Sequence, residues 1–224
     1  MSGSFLSSVR LLRHRQRFSH RIAVTLIAIA SLGGTARADW RAEIGYTRLQ
    51  QRLGGRLPTG TTVTVSQVEM AINSSRDYMP DVSDPQFAGK AISRLSGVSG
   101  VSNHATTVAR YYCGVASSVS PGVRQIASYD ANDWAEAGFL NINSAIEPLR
   151  EIRTVQNHSW IGSFGVDSVD LDVLRRIDYV VQRDGVVVTA GVKNGTGTAM
   201  PRLMCSAYNV IGVGLTSGES SFGP

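Results

Sequence analysis

The chain after its first 58 residues predicts an α/β fold, a mostly parallel β-sheet with helices on both faces. Strand and helix signals alternate along it. The strands also read as near-continuous Val/Ile runs, such as Val186-Val187-Val188 and Val210-Ile211, rather than as apolar/polar alternation. That is the pattern of strands buried on both faces. A hydrophobic content of 42% over 224 residues supplies a core for one main domain and sets aside a disordered or fibrous chain.

Taken in order, Asp39 to Leu57 reads as helical around Ile44, Leu49 and Leu53 until Gly54-Gly55 and Pro58-Thr59-Gly60 break it, so residues 39–58 form a helical lead-in. Val63, Val65 and Val68 mark the first strand, and the Ser/Gly/Pro/Asp-rich residues 73–102 read as a loop. His104 to Ala116 follows as a helix and Val123 to Tyr129 as a strand. Ala131 to Ile152 reads as helical with a break near Pro148, and Val155 to Ser159 as a short strand. Ser168 to Arg183 is an amphipathic helix through Leu171, Leu174, Ile177 and Val181. Gly185 to Ala190 and Asn209 to Gly214 are the last strands.

The formal charge of +5 is confined to the N-terminus. Six of the 22 basic residues (Arg10, Arg13, Arg15, Arg17, Arg21 and Arg37) and none of the 17 acidic ones fall within residues 1–38, which leaves 16 bases against 17 acids in the rest. No nucleic-acid partner is therefore expected. An Arg-rich start, an apolar run from Ile22 to Leu32 and the small-x-small triplet Ala36-Arg37-Ala38 have the order of an export signal. The run is shorter than the roughly 20 apolar residues a membrane-spanning helix needs. Residues 1–38 are expected to be a signal peptide cleaved near Ala38, with a secreted or periplasmic product and no membrane association beyond export. Cys113 and Cys205 would then meet an oxidising compartment, where they either pair or stay as two buried thiols. No zinc-ligand spacing or calcium loop occurs, and no cofactor is expected.

In sheets of this type, reactive groups gather at the carboxyl ends of the strands. The first strand ends in Glu69. His104 opens a helix after a polar loop, and a helix N-terminus disfavours imidazolium and so keeps the ring able to accept a proton. Val155-Gln-Asn-His-Ser159-Trp160-Ile-Gly162 and Val186-Val-Val-Thr-Ala-Gly-Val-Lys-Asn194-Gly195 supply two further strand ends.

These segments carry a resemblance to the subtilisin-like serine peptidases. Gly60–Glu69 matches the family's G-x-G-V-x-V-A-V-I-D without a gap, and His104–Arg110 matches H-G-T-H-V-A-G. Val155–Gly162 resembles V-x-N-x-S-L-G, Val186–Gly195 resembles V-V-V-A-A-G-N-x-G, and Ser206–Gly214 with Ser220–Pro224 resembles the strand and loop that follow. The matches stand in family order over residues 56–224. The resemblance implies a secreted endopeptidase acting on a peptide or protein substrate, with His104 as general base and Glu69 in the place of an aspartate. Ser159, Trp160 and Gly162 would form a substrate wall that pairs with an extended peptide, and Asn194 would be an oxyanion donor. It also implies that residues 59–224 are a C-terminally incomplete peptidase domain, because the family's G-T-S-x-A-x-P nucleophile segment lies further on. The chain as given would then be inactive. Gly197-Thr-Ala-Met-Pro201 imitates part of that segment but lacks the serine and reads as a loop. Glu69, Ala105, Thr107 and Arg110 depart from the family's residues. A direct overlay puts Val192 at the oxyanion position and Asn194 two residues beyond it. These departures support the alternative of a non-catalytic exported peptide-binding domain.

Overall fold

The computed structural model describes residues 39–71, 76–193 and 201–214. The leader 1–38, Asn194, the Gly197–Met200 loop and Ser220–Pro224 lie outside the described residues. Two compact units, Met1–Gly54 and Gly55–Pro224, make up the chain.

In the first unit the expected lead-in helix is two helices. α1 (Trp40–Glu43) begins at Asp39, whose side chain accepts from the Arg41 N–H, and α2 (Tyr46–Leu53) follows. Gly45 stands between them at φ +76°, a left-handed conformation that glycine adopts at little cost and that ends a helix.

The second unit holds a sheet of six described strands: β1 (Thr64–Glu69), β2 (Ala91–Arg94), β3 (Gln125–Asp130), β4 (Val155–His158), β5 (Val187–Gly191) and β6 (Val210–Val213). All pairings are parallel, and the order across the sheet is β2-β3-β1-β4-β5-β6. The α/β class is as expected. The chain works to one side of β1 with β2 and β3 and then to the other with β4 to β6, so the carboxyl end of β1 lies where the direction of winding reverses. Crevices in open α/β sheets form at such points. The register puts Glu69 opposite Asp130 of β3, and Val68 opposite His158 of β4.

Side chains of β1 alternate between two covered faces. Val65, with Ile126 of β3, packs against Ala109 and Cys113 of α3 (Asn103–Cys113). Val68, with Ala127, Tyr129, Val188 and Ala190, packs against Val173, Ile177 and Val180 of a long helix, Asp167–Asp184. That helix ends at Gly185, φ +69°.

Two sequence readings are corrected. The 73–102 loop contains β2, an edge strand with three of its four residues exposed, too short and polar to signal burial. Ala131–Ile152 is helical only at its start: α4 (Ala131–Asp133) runs into a π-helical turn, Trp134–Gly138. The long helix, numbered α5, takes over the backbone bonding beyond that turn. Arg176 donates to the carbonyls of Leu140 (3.1 Å) and Ile146 (2.8 Å), and Arg183 to those of Pro148 (2.9 Å) and Leu149 (2.7 Å). Guanidinium donors thus satisfy carbonyls that a helix would have paired internally. No disulfide joins Cys113 and Cys205.

Ile177 has no exposed surface, so Ile177→Ala should lower unfolding free energy by about 2–5 kcal/mol. Urea denaturation followed by circular dichroism measures this, and a loss well under 1 kcal/mol would contradict the assigned packing.

Candidate active site

Glu69 is the last residue of the central strand and is 1% exposed. A buried carboxylate needs partners, and both of its oxygens have one. Oε1 accepts from Gln67 Nε2 at 2.9 Å, and Oε2 lies 2.8 Å from His104 Nδ1. Because an ionised carboxylate only accepts, the proton between them sits on Nδ1, which leaves Nε2 as the ring's acceptor.

His104 is the second residue of α3, and the start of that helix is firmly held. Ser102 caps it by accepting from the Ala105 N–H at 3.2 Å, and Thr106 Oγ1 donates to the Ser102 carbonyl at 2.8 Å. At the helix's other end Arg110 is paired with the buried Asp84 through Nε at 2.6 Å. The backbone is therefore fixed while the imidazole remains about half exposed, at 53% of its side-chain surface. Nε2 can be reached from solvent. Among the described residues Glu69 is the ring's one hydrogen-bond partner.

The hydrogen bond to Glu69, aided by the carboxylate's charge and opposed by partial burial, raises the His104 pKa above its ordinary value. The expected lowering by the helix N-terminus is outweighed by a full charge at contact distance, which exceeds a partial dipole charge. The histidine at the end of β4 behaves oppositely. His158 is fully buried against Trp134 and Trp160, ring centroids 4.7 and 5.8 Å away, and burial lowers its pKa to about 3. It is a neutral core residue.

The structure brings Glu69 and His104 together and places the other sequence candidates elsewhere. Ser159 accepts from Asn157 Nδ2 at 2.9 Å. Trp160 is 8% exposed and belongs to the core under α5. With Met70, Ala131, Gly162, Phe164 and Leu203, it also lines a small cleft of about 60 Å³. Two features bear on the peptide-pairing strand expected at Ser159–Gly162. β4 is internal to the sheet, and the Gly162 backbone is already paired with Leu203 in both directions, at 3.2 and 3.1 Å. The Val192 N–H is likewise used, bonding the Val213 carbonyl at 3.0 Å. Asn194 lies outside the described residues. Among the described residues no group of three acidic, Cys or His side chains is arranged to hold a metal, and no helix is long and apolar enough to cross a membrane.

Two residues at this site take roles that the sequence reading did not assign them. Gln67 is the polar member of a buried strand, two positions before Glu69 and so on the same face, a signal present in the sequence. Tyr112 donates to Gln67 Oε1 at 2.6 Å, and its place seven residues after Ala105 puts both on one face of α3.

No family model matches the chain, and no curated protein matches it. Among solved structures it is similar to the structure of the prenylagaramide maturation protease PagA, with a TM-score of 0.47 and 18% identity over 72% of this chain. The match spans 59% of that protein's length. Membership of the subtilisin-like family, implied by the motif order, is therefore corrected. Its motifs draw largely on small and β-branched residues, which buried parallel strands and their exit loops require in any protein.

Replacing Glu69 by Ala should drop the His104 pKa, followed by NMR, to 6.5 or below, since only the lowering effect of burial remains. Stabilisation from this pair should be full below pH 6.5 and be lost as the pH rises through the folded-state pKa of His104. A histidine titration unchanged by Glu69→Ala would break the assigned contact.

Proposed function

We propose that this chain carries the base and the acid of a peptide-bond-hydrolysing site, in which His104 takes the proton of a serine hydroxyl. The supporting observation is the 2.8 Å contact of His104 Nδ1 with the buried Glu69 carboxylate, which leaves Nε2 exposed at the carboxyl end of the sheet. In this reading Nε2 accepts the hydroxyl proton as the oxygen attacks the scissile carbonyl. The imidazolium, stabilised by Glu69, then returns that proton to the leaving amine, and the same ring activates the water that cleaves the acyl-enzyme. The substrate is a peptide or protein, and the Arg-rich leader supports an exported product.

A hydroxyl nucleophile is favoured over a thiol by the acid. A carboxylate partner makes the imidazole a stronger base, which a hydroxyl needs and an already acidic thiol does not. The two cysteines add to this. Burial pushes the Cys113 thiol up to about 12 and also raises that of Cys205, so neither has the character of a reactive thiolate. Among the described residues no hydroxyl is hydrogen-bonded to Nε2, and this reading assigns the nucleophile to a serine outside them.

A fluorophosphonate probe should label the full-length protein at a serine, and His104→Ala should slow labelling by at least about 100-fold. Because the base must be neutral and its pKa is raised, the labelling rate should fall on the acid side with a midpoint above pH 6.5. Labelling that survives His104→Ala removes His104 from the mechanism. A full-length protein that neither labels nor cleaves peptides is the non-catalytic binding domain instead.

A further inference from the structure

The acid's strand and the base's helix are joined by more than the Glu69–His104 contact. Gln67 is fully buried, and all three of its side-chain hydrogen bonds point to one arrangement. Its Nε2 donates to Glu69 Oε1 and to the Ala105 carbonyl, both at 2.9 Å, and its Oε1 accepts from the Tyr112 hydroxyl at 2.6 Å. The amide orientation follows from this network. Flipped, it would set its oxygen against two acceptors, the Glu69 carboxylate and the Ala105 carbonyl.

Resting on the reading of His104 as general base, we infer that Gln67 and Tyr112 are positioning residues, a relay from Tyr112 through Gln67 that sets the Glu69 carboxylate in the plane it needs to hold the His104 ring. The glutamate makes this possible. Its extra methylene, compared with an aspartate, lets the carboxylate turn back along its own face far enough for one oxygen to meet the i−2 side chain while the other meets the helix. Without Gln67, Oε1 would be a buried acceptor with no donor, and the carboxylate would rotate to find one. Tyr112 anchors the far end of the amide. Burial drives its hydroxyl pKa well above the usual value, so it remains a donor at every pH at which His104 titrates.

The charged and titratable groups around the relay fit this role. From α3 the carboxylate is faced by His104 and Tyr112. From β3, Asp130 stands across the strand pair, its charge met by Arg76 at 3.3 Å. None of these supplies Oε1 with another donor among the described residues.

The test is NMR of this chain with labelled histidine, reading two properties of His104: its pKa and the low-field resonance of the Nδ1 proton held by Glu69. In Gln67→Leu the pKa should fall toward 6.5 and the resonance should broaden or vanish. Tyr112→Phe, which removes one oxygen and keeps the ring, should move both in the same direction by less, while Tyr179→Phe on α5, whose hydroxyl meets Glu147, should move neither. A folded Gln67→Leu with the parent's pKa and resonance overturns the inference. If Gln67→Leu does not fold, an unshifted Tyr112→Phe does so alone. Neither reading needs a nucleophile, so the relay can fail while probe labelling still depends on His104, and labelling can fail while the relay stands.

Discussion

A carboxylate at 1% exposure on the end of the central strand is the constraint around which the site is organised. An unpaired buried charge of this kind costs several kcal/mol, so Glu69 is compatible with the fold only because donors converge on it. They come from two elements, Gln67 from its own strand and His104 from α3. Strand and helix must therefore keep a fixed separation, and the capped start of α3 and the Arg110–Asp84 pair farther along it serve that requirement. Glu69 and His104 are held by the same contacts that make the buried carboxylate tolerable.

The sheet decides where this happens. β1 is flanked by β3 and β4, and the winding reverses at its carboxyl end. The polar residues Gln67 and Glu69 lie on the α3 side and the apolar Val68 on the α5 side. A shift of one residue in β1 would exchange these faces, driving a carboxylate into the cluster around Val173 and Ile177. The register is thus set by charge as well as by apolar packing.

The two histidines at neighbouring strand and helix ends show how environment divides identical side chains. His104 has a carboxylate at contact distance and water on its other side, and it becomes a stronger base. His158 is enclosed by two indoles and is held neutral down to about pH 3. Nothing local in the sequence separates them. Both follow an asparagine, and both sit at the edge of a structural element.

The α/β class, most of the strands and the α5 helix are legible in the residues alone, because Val/Ile runs and a 3.6-residue period report burial directly. The sequence also marked Glu69 and His104, because strand ends and helix starts are readable places. It missed β2, whose edge position leaves it polar, and it lengthened the helix at Ala131, because the competing donors, Arg176 and Arg183, lie 36 and 35 residues from the carbonyls they meet. The short motifs that suggested a family draw on residue types that buried parallel strands and their exit loops require. Which polar groups meet came from the packing of separate elements: Gln67 joins Glu69, Tyr112 reaches across from α3, and Gly162 and Trp160 are already engaged within the fold. Periodicity records which face of an element is buried. Which atoms satisfy a buried charge depends on how separate elements pack, and that information is spread over the whole chain.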